Sequence, residues 1–420
     1  MKYQSPKGVS EYFPPRSSGF EFVRDKLLAP IKNAGYQLLE LPVFEDTELF
    51  TRGVGESTDV VSKEMYTFED RGGRSITLRP EGTVGALRSI IEHGLDRSAL
   101  PVKVFYCGPF FRAERPQAGR YRQFYSLGIE AVGSDDPALD AEVIALAYEG
   151  FYGIGLRKFR LDITSLGDAH SRKAHRADLL AYIEKMNLDD ATRARAGINP
   201  LRLFDDKRPE ISSLMAKAPR LLDYLSEESS EHFKKVQGYL SAMGIPFSIN
   251  PLMVRGLDYY TGTTFEFVHE DLGAQSGIGG GGRYDGLMEN IGGQNISGIG
   301  FGLGIDRALL AAEAEGILES HHVSPLVYLI PLGEKAKNEA LKLSHQMRNA
   351  GLTVEVSMGD KALKNAMKSA DKSGAIYTCV LGDSELESGN VELKEMNSGN
   401  ATSVTLSALL TTLQLKTVKK

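Results

Sequence analysis

Arg112, Glu114, Arg115, Arg120 and Arg122 fall within an eleven-residue span, and Phe110, Phe111 and Phe124 flank it. A solvated, charged turn is one reading, but an exposed turn rarely needs three phenylalanines. The stronger reading is a nucleotide clamp. Guanidinium groups grip phosphate oxygens in fork geometry, and a phenyl ring stacks on a base. Phosphoryl or adenylyl transfer suits such a clamp, because catalysis there is largely positioning plus neutralisation of developing charge. A second arginine, Arg307, follows Gly298-Ile299-Gly300-Phe301-Gly302-Leu303-Gly304-Ile305-Asp306 and precedes an apolar helical run. Alone it reads equally as a surface residue on a Gly-rich turn. The chain has no G-x-x-x-x-G-K-[ST] phosphate loop. The G-x-G-x-x-G match at Gly277–Gly282 lacks a convincing acidic residue ~20 positions on, so a dinucleotide fold is rejected.

The elements that must hold these residues are strands. Val102–Tyr106, Phe110–Ala113 and Gln123–Val132 read as strands, with polar Glu114–Arg122 as a long hairpin loop, hence antiparallel. Phe20, Val23, Leu27, Ile31 and Ala34 recur at helical spacing, with a kink expected at Pro30. Tyr36–Pro42 reads as a strand and Asp140–Tyr152 as a helix. From about residue 171 to 244 the chain turns Ala-, Leu-, Lys- and Glu-rich, which predicts a helical insertion. Strand and glycine signals return at Pro251–Val268 and Gly277–Gly304. A linker is expected at Glu319–Pro325. After it, strands at Leu326–Ile330, Leu352–Val356 and Ala375–Leu381 alternate with helices at Glu334–Ala350 and Asp360–Ser373. That alternation predicts a small α/β domain leaning towards parallel pairing.

At this point a family resemblance becomes specific. Phe111–Gln117 with Arg120–Phe124 resembles motif 2 of the class II aminoacyl-tRNA synthetases, in its histidyl version. Gly298–Arg307 resembles motif 3 of the same class. Val254-Arg255-Gly256-Leu257-Asp258-Tyr259-Tyr260-Thr261-Gly262-Thr263-Thr264-Phe265-Glu266 resembles the signature peptide of histidyl-tRNA synthetases, and Gly281–Asp285 resembles their second signature. The resemblance spans nearly the whole chain. It implies an α+β fold: an antiparallel-sheet class II catalytic domain over residues 1–320, with the insertion at about 171–244, and a C-terminal α/β anticodon-binding domain over 326–420.

The implied activity is two-step ligation of histidine to tRNA(His), with ATP and Mg²⁺. By position, Arg112 would bind the α-phosphate, Glu114 and Phe124 the adenine, and Arg120 and Arg307 the outer phosphates. Arg112, Arg255 and Arg307 would be the catalytic arginines. Arg255 stands where other class II enzymes keep a metal ion, and no protein metal site is expected. Histidine would be held by Glu81, Thr83, Ser126, Glu130, Arg255, Tyr259 and Tyr260. A neutral imidazole presents one donor and one acceptor nitrogen. A carboxylate (Glu130) and a hydroxyl (Tyr260) answer both. Glu81 would equally suit a helix cap, and Tyr259 and Tyr260 a strand core. The family usually carries glutamine at Ser126. Serine is shorter, and bridging water would complete its contact.

The rivals are a synthetase-like regulatory subunit, a class II synthetase for another amino acid, and an RNA-binding scaffold. The first would lack the nucleotide arginines and the last 95 residues. The second conflicts with the 254–266 peptide. The third leaves the arginine cluster unexplained. Composition agrees with an ordinary large enzyme of 420 residues and net charge −6. By count, residues 325–420 carry 12 Lys/Arg and 10 Asp/Glu, net +2, so the remainder carries −8. Lys361, Lys364, Lys368 and Lys372 would form one basic stripe on a helix, either solvated or laid on RNA phosphates. Two distant cysteines, Cys107 and Cys379, exclude a disulfide framework and suggest a reducing compartment. With no apolar run near ~20 residues and no signal peptide, a cytoplasmic homodimer away from membranes is expected. The dimer would form around Leu41–Val54.

Overall fold

The computed structural model describes residues 3–55, 58–206, 208–254, 256–320, 324–359 and 361–417. The chain divides into two compact units, residues 1–320 and 321–420.

Among the described residues of the first unit the main sheet has eight strands. Their order is Gln37–Leu38, Val102–Phe111, Gln123–Val132, Gly298–Gly304, Gly277–Arg283, Thr261–His269, Phe159–Ser165 and Ser248–Ile249. The two outermost pairings are parallel and the inner ones antiparallel. The arginine-bearing hairpin pairs in register from Val102↔Val132 to Phe111↔Gln123. Val102–Phe111 is one unbroken strand; the expected break before Phe110 does not occur, because Pro109 takes an extended conformation without stopping it.

Alternation along the strands explains the two-sided design. In Gln123–Val132, Leu127, Ile129 and Ala131 enter the main core. There they meet Val23, Leu27 and Ile31 of the helix Arg16–Asn33, and Val143, Ile144, Ala147 and Phe151 of the helix Pro137–Ile154. Phe124, Ser126, Gly128 and Glu130 point the other way. Gly298–Gly304 repeats the scheme: Ile299, Phe301 and Leu303 are core, and every residue between them is glycine. Helices thus cover one face, and the opposite face is left shallow. The G-x-G-x-x-G match at Gly277–Gly282 lies within the neighbouring strand Gly277–Arg283 and opens no helix, which is why it is not a dinucleotide site. The first helix runs through Pro30 to Asn33.

A smaller antiparallel sheet of Phe44–Asp46, Ser75–Leu78 and Tyr66–Glu69 stands beside the main one. The insertion has helices Ala169–Glu184, Asp190–Ile198 and Pro209–Met215, and the helix Glu227–Ala242 leads back to the sheet. Leu179, Ile183, Leu203, Ile211 and Met215 give the insertion its own small core.

The second unit has a five-stranded sheet ordered Val354–Val356, Val327–Pro331, Tyr377–Leu381, Asn390–Glu395, Ala401–Thr405. The first three strands are parallel, and the last two add an antiparallel hairpin that the sequence reading did not place. Its helices include Glu334–Asn349 and Leu363–Lys372. Lys361 precedes the second helix, so three of the four stripe lysines ride on it. Its buried face is Ala366 and Ala370. Asp360, expected to open that helix, and His321–Val323 of the expected linker lie outside the described residues. Cys107 and Cys379 are both free thiols.

Candidate functional site

A cavity of about 260 Å³ opens on the glycine-lined face of the main sheet. Its walls include Glu81, Thr83, Arg112, Glu114, Arg120, Phe124, Ser126, Tyr259, Tyr260 and Arg307. These ten come from four separate stretches of sequence, 81–83, 112–126, 259–260 and 307, and the fold brings them together. Glu130 is fully buried behind the wall, and Arg255 lies outside the described residues.

The hairpin supplies the cationic end. Arg112 closes the hairpin loop by donating its backbone N–H to the Arg122 carbonyl at 2.9 Å. Its Nε donates to the Pro80 carbonyl at 3.0 Å, and its guanidinium lies 5.4 Å from the Phe124 ring centroid. Arg120 pairs with Glu114 and with Glu64, the latter at 3.3 Å. Arg307 donates from three nitrogens: to the Gly119 carbonyl at 2.7 Å, the Gly277 carbonyl at 2.6 Å and Gln275 Oε1 at 3.1 Å. Burial, and then the nearby Arg112 and Arg120 charges, pull the Arg307 guanidinium below its ordinary value. Three cations so close are repelled by one another, and a polyanion between them relieves that repulsion.

The other end is carboxylate and phenol. Glu81 accepts from the backbone N–H of Thr83 at 2.8 Å and of Val84 at 3.0 Å, capping the helix Thr83–Glu92. The capping reading therefore holds, and Glu81 faces the cavity as well. Burial raises its pKa, against those hydrogen bonds and the Arg112 charge. Tyr259 donates to Glu81 at 3.4 Å, and its ring packs 4.8 Å from that of Tyr260. Ser126 Oγ donates to the Leu303 carbonyl at 3.2 Å.

Glu130, expected to face the substrate directly, instead supports the wall. It accepts from Tyr106 at 2.9 Å and from Tyr284 at 2.6 Å. Burial pushes its pKa up to about 8, although the bonds from Tyr284, Thr83 and Tyr106 resist that shift. Tyr106 lines the cavity and Glu130 acts behind it. Sequence reasoning missed Tyr106, and the signal was its cross-strand partner Gly128. A Cβ there would strike the Tyr106 ring, as would one at Gly82; glycine within a strand marks such close approaches. Tyr121 and Glu266 also line the cavity without having been singled out. Arg283, from the second signature, is structural: it is buried and pairs with Asp140 at 2.6 Å.

Gly300 lies under Glu130, and an added Cβ would meet Glu130 Oε2, Glu130 Cδ at 2.9 Å and the Ile129 carbonyl. All three belong to a strand backbone or a tethered carboxyl, so none yields cheaply. Gly300→Ala is expected to destabilise the first unit by about 1–3 kcal/mol, the usual cost of overpacking. A urea midpoint equal to that of the unaltered chain would refute this.

The family model described as histidyl-tRNA synthetase matches residues 8–308, and the anticodon binding domain model matches residues 326–416. The chain is 58% identical over 404 residues to the histidine–tRNA ligase of Saccharopolyspora erythraea, covering 96% of each chain. It is 58% identical over 408 residues to that of Mycobacterium tuberculosis, covering 97% of this chain and 96% of the relative. The solved apo histidyl-tRNA synthetase of S. aureus superposes with a TM-score of 0.82 at 35% identity, covering 98% of this chain and all of the other.

Proposed function

We propose a mechanism for the cavity from one premise: the chain belongs to the histidyl-tRNA synthetase family. Its activity is that of a histidine–tRNA ligase, using ATP. A carboxylate oxygen of histidine attacks the α-phosphorus of ATP, the bond to the β-phosphate breaks, and pyrophosphate leaves. The terminal ribose hydroxyl of tRNA(His) then attacks the adenylate carbonyl carbon, and AMP leaves.

Arg112 grips the α-phosphate, with Phe124 under the adenine and Glu114 at its edge. Arg120 and Arg307 take the outer phosphates. Arg255 adds a second fixed charge at the α-phosphate. Glu81 and Thr83, with Ser126 through water, hold the substrate ammonium. Tyr259 and Tyr260 close the imidazole slot, and Glu130 orients the Tyr106 hydroxyl towards it. Mg²⁺ would come bound to the triphosphate and neutralise part of its charge; Glu266 is the wall carboxylate that offers the oxygen chemistry such an ion takes, while Glu114 stays with Arg120.

The observation that carries this reading is the meeting of Arg112, Arg120 and Arg307 with Glu81, Tyr259 and Tyr260 around one cavity. Pyrophosphate exchange with each standard amino acid in turn tests it. Histidine alone should support exchange, and Tyr260→Phe should raise the histidine KM about tenfold, the worth of one buried hydrogen bond, with the ATP KM unmoved. Exchange with another amino acid at a comparable rate would defeat the assignment.

The second unit binds tRNA, with Lys364, Lys368 and Lys372 meeting phosphates. A homodimer forms around Leu41–Val54. Its support is the exposed apolar residues Val43 and Phe44 of that segment, with Leu38 and Phe68 exposed outside it. Among the described residues no helix is long and apolar enough to cross a membrane. The enzyme works in the cytoplasm, where tRNA is charged.

A further inference from the structure

Asp258 is two residues from Tyr260, inside a stretch where none of the described residues of 250–260 is in a helix or strand. Such a segment needs outside anchors to present two tyrosines reproducibly. One anchor is the start of the strand Thr261–His269. The other comes from the helical insertion. Asn199 Nδ2 donates to Asp258 Oδ1 at 3.2 Å. Arg202 donates to the Gly256 carbonyl at 3.1 Å and lies 3.8 Å from Asp258 Oδ1. The far side of the same carboxylate abuts the turn at Gly55, where a Cβ would lie 3.3 Å from Asp258 Oδ2. A second contact runs parallel to the first. Leu221 of the insertion packs with Leu166 and Tyr260, and Leu257 and Tyr259 lie against that group.

We propose that Arg202 and Asn199 are positioning residues for histidine recognition. They clasp Gly256 and Asp258 to the insertion, so that Tyr259 and Tyr260 stand at the cavity wall. This rests on the assignment of Tyr259 and Tyr260 to the histidine end. Neither Arg202 nor Asn199 lines the cavity, so neither touches substrate. Their influence passes through the loop. The insertion has a core of its own, so it moves or stays as one piece and carries the loop with it. The clasp therefore makes the histidine slot depend on how the insertion is docked, while Arg112 and Arg120 are held by the hairpin and Arg307 by the start of the helix Ile305–Ala314 instead.

The split between the two ends is the test. In pyrophosphate exchange with the full chain, Arg202→Ala should raise the histidine KM about tenfold, on the order of one charge-assisted hydrogen bond, and leave the ATP KM within about twofold. Arg202→Lys, which keeps a donor and a charge, should recover most of the loss. Asn199→Ala removes one bond from the same carboxylate, should move the histidine KM in the same direction by less, and serves if Arg202→Ala does not fold. Arg202→Ala combined with Tyr260→Phe should cost less than the product of the two single effects, because both act through one loop. A histidine KM unchanged in Arg202→Ala, or histidine and ATP KM values raised alike with a lowered melting temperature, overturns the clasp. If Tyr260→Phe moves the histidine KM in the same assay, only the clasp has failed. If Tyr260→Phe does not move it, the assignment of the histidine end has failed too.

Discussion

Replacing Arg112 by alanine is expected to lower ATP–pyrophosphate exchange by about a hundred- to a thousandfold, the cost of removing one preorganised donor from a developing oxyanion. The side chain is well prepared for that task. Its Nε is committed to the Pro80 carbonyl, its guanidinium carbon lies over the Phe124 ring, and Glu114 Oε1 stands 4.0 Å from Nη1. Burial depresses its pKa, with Glu64 and Glu81 opposing the shift. The guanidinium stays charged even so, because an arginine remains protonated far above neutral pH. The charge is then held, partly desolvated, where the proposed mechanism puts the α-phosphate. Arg112→Lys should also lose at least about tenfold, since an ammonium cannot hold the Pro80 carbonyl and present a planar fork together. The fold should survive, because the hairpin is closed by the Arg112 backbone and not by its side chain. Exchange within threefold of normal in Arg112→Ala, with an intact melting transition, would remove Arg112 from the chemistry.

Arg112 was legible in the sequence because its purpose is local. A hairpin loop dense in arginine and flanked by phenylalanine announces itself, and the two strands that carry it pair without a register shift. The glycine strands were legible as a resemblance, but their physical meaning came only with the sheet. The residues that alternate with Ile299, Phe301 and Leu303 are glycine because Tyr284 and Glu130 fill the space where side chains would stand at Gly298 and Gly300, while Gly302 opens on the cavity. That three-strand arrangement has no signature within any one segment. The same reason hid Tyr106, whose role depends on a neighbour 22 residues away across the hairpin. The clasp was beyond reach for another reason. It joins Asn199 and Arg202, which read as ordinary polar residues of an insertion, to a loop more than fifty positions on. In the second unit, parallel strands alternating with helices were readable, and the final hairpin was not, because Asn390–Glu395 and Ala401–Thr405 each bury only one or two residues and look like polar loop.

Glu130 gives the second large effect, and it is one of stability against pH. A carboxyl with no exposure, held by two tyrosine hydroxyls, has a pKa pushed up to about 8 from an ordinary 4.5. In the unfolded chain the same group ionises near its ordinary value. Between those two values the folded protein holds a proton that the unfolded chain has released. The unfolded state therefore binds fewer protons, and stability falls as pH rises. The contribution is fully present below pH 4.5 and is lost as pH passes through 8. Glutamine cannot ionise, yet its amide can meet both hydroxyls, accepting from one and donating to the other. Glu130→Gln should thus match the unaltered chain near pH 5 and gain on it with every step upward, by at most about 3 kcal/mol between pH 5.5 and 8.5. Urea unfolding of both chains at pH 5.5, 7 and 8.5 measures this, and the difference between them cancels every other titrating group. A difference that stays flat with pH, or that grows towards acid, would mean that Glu130 is ionised in the folded protein. The support it gives Tyr106 would then be that of a charge and not of a neutral acid.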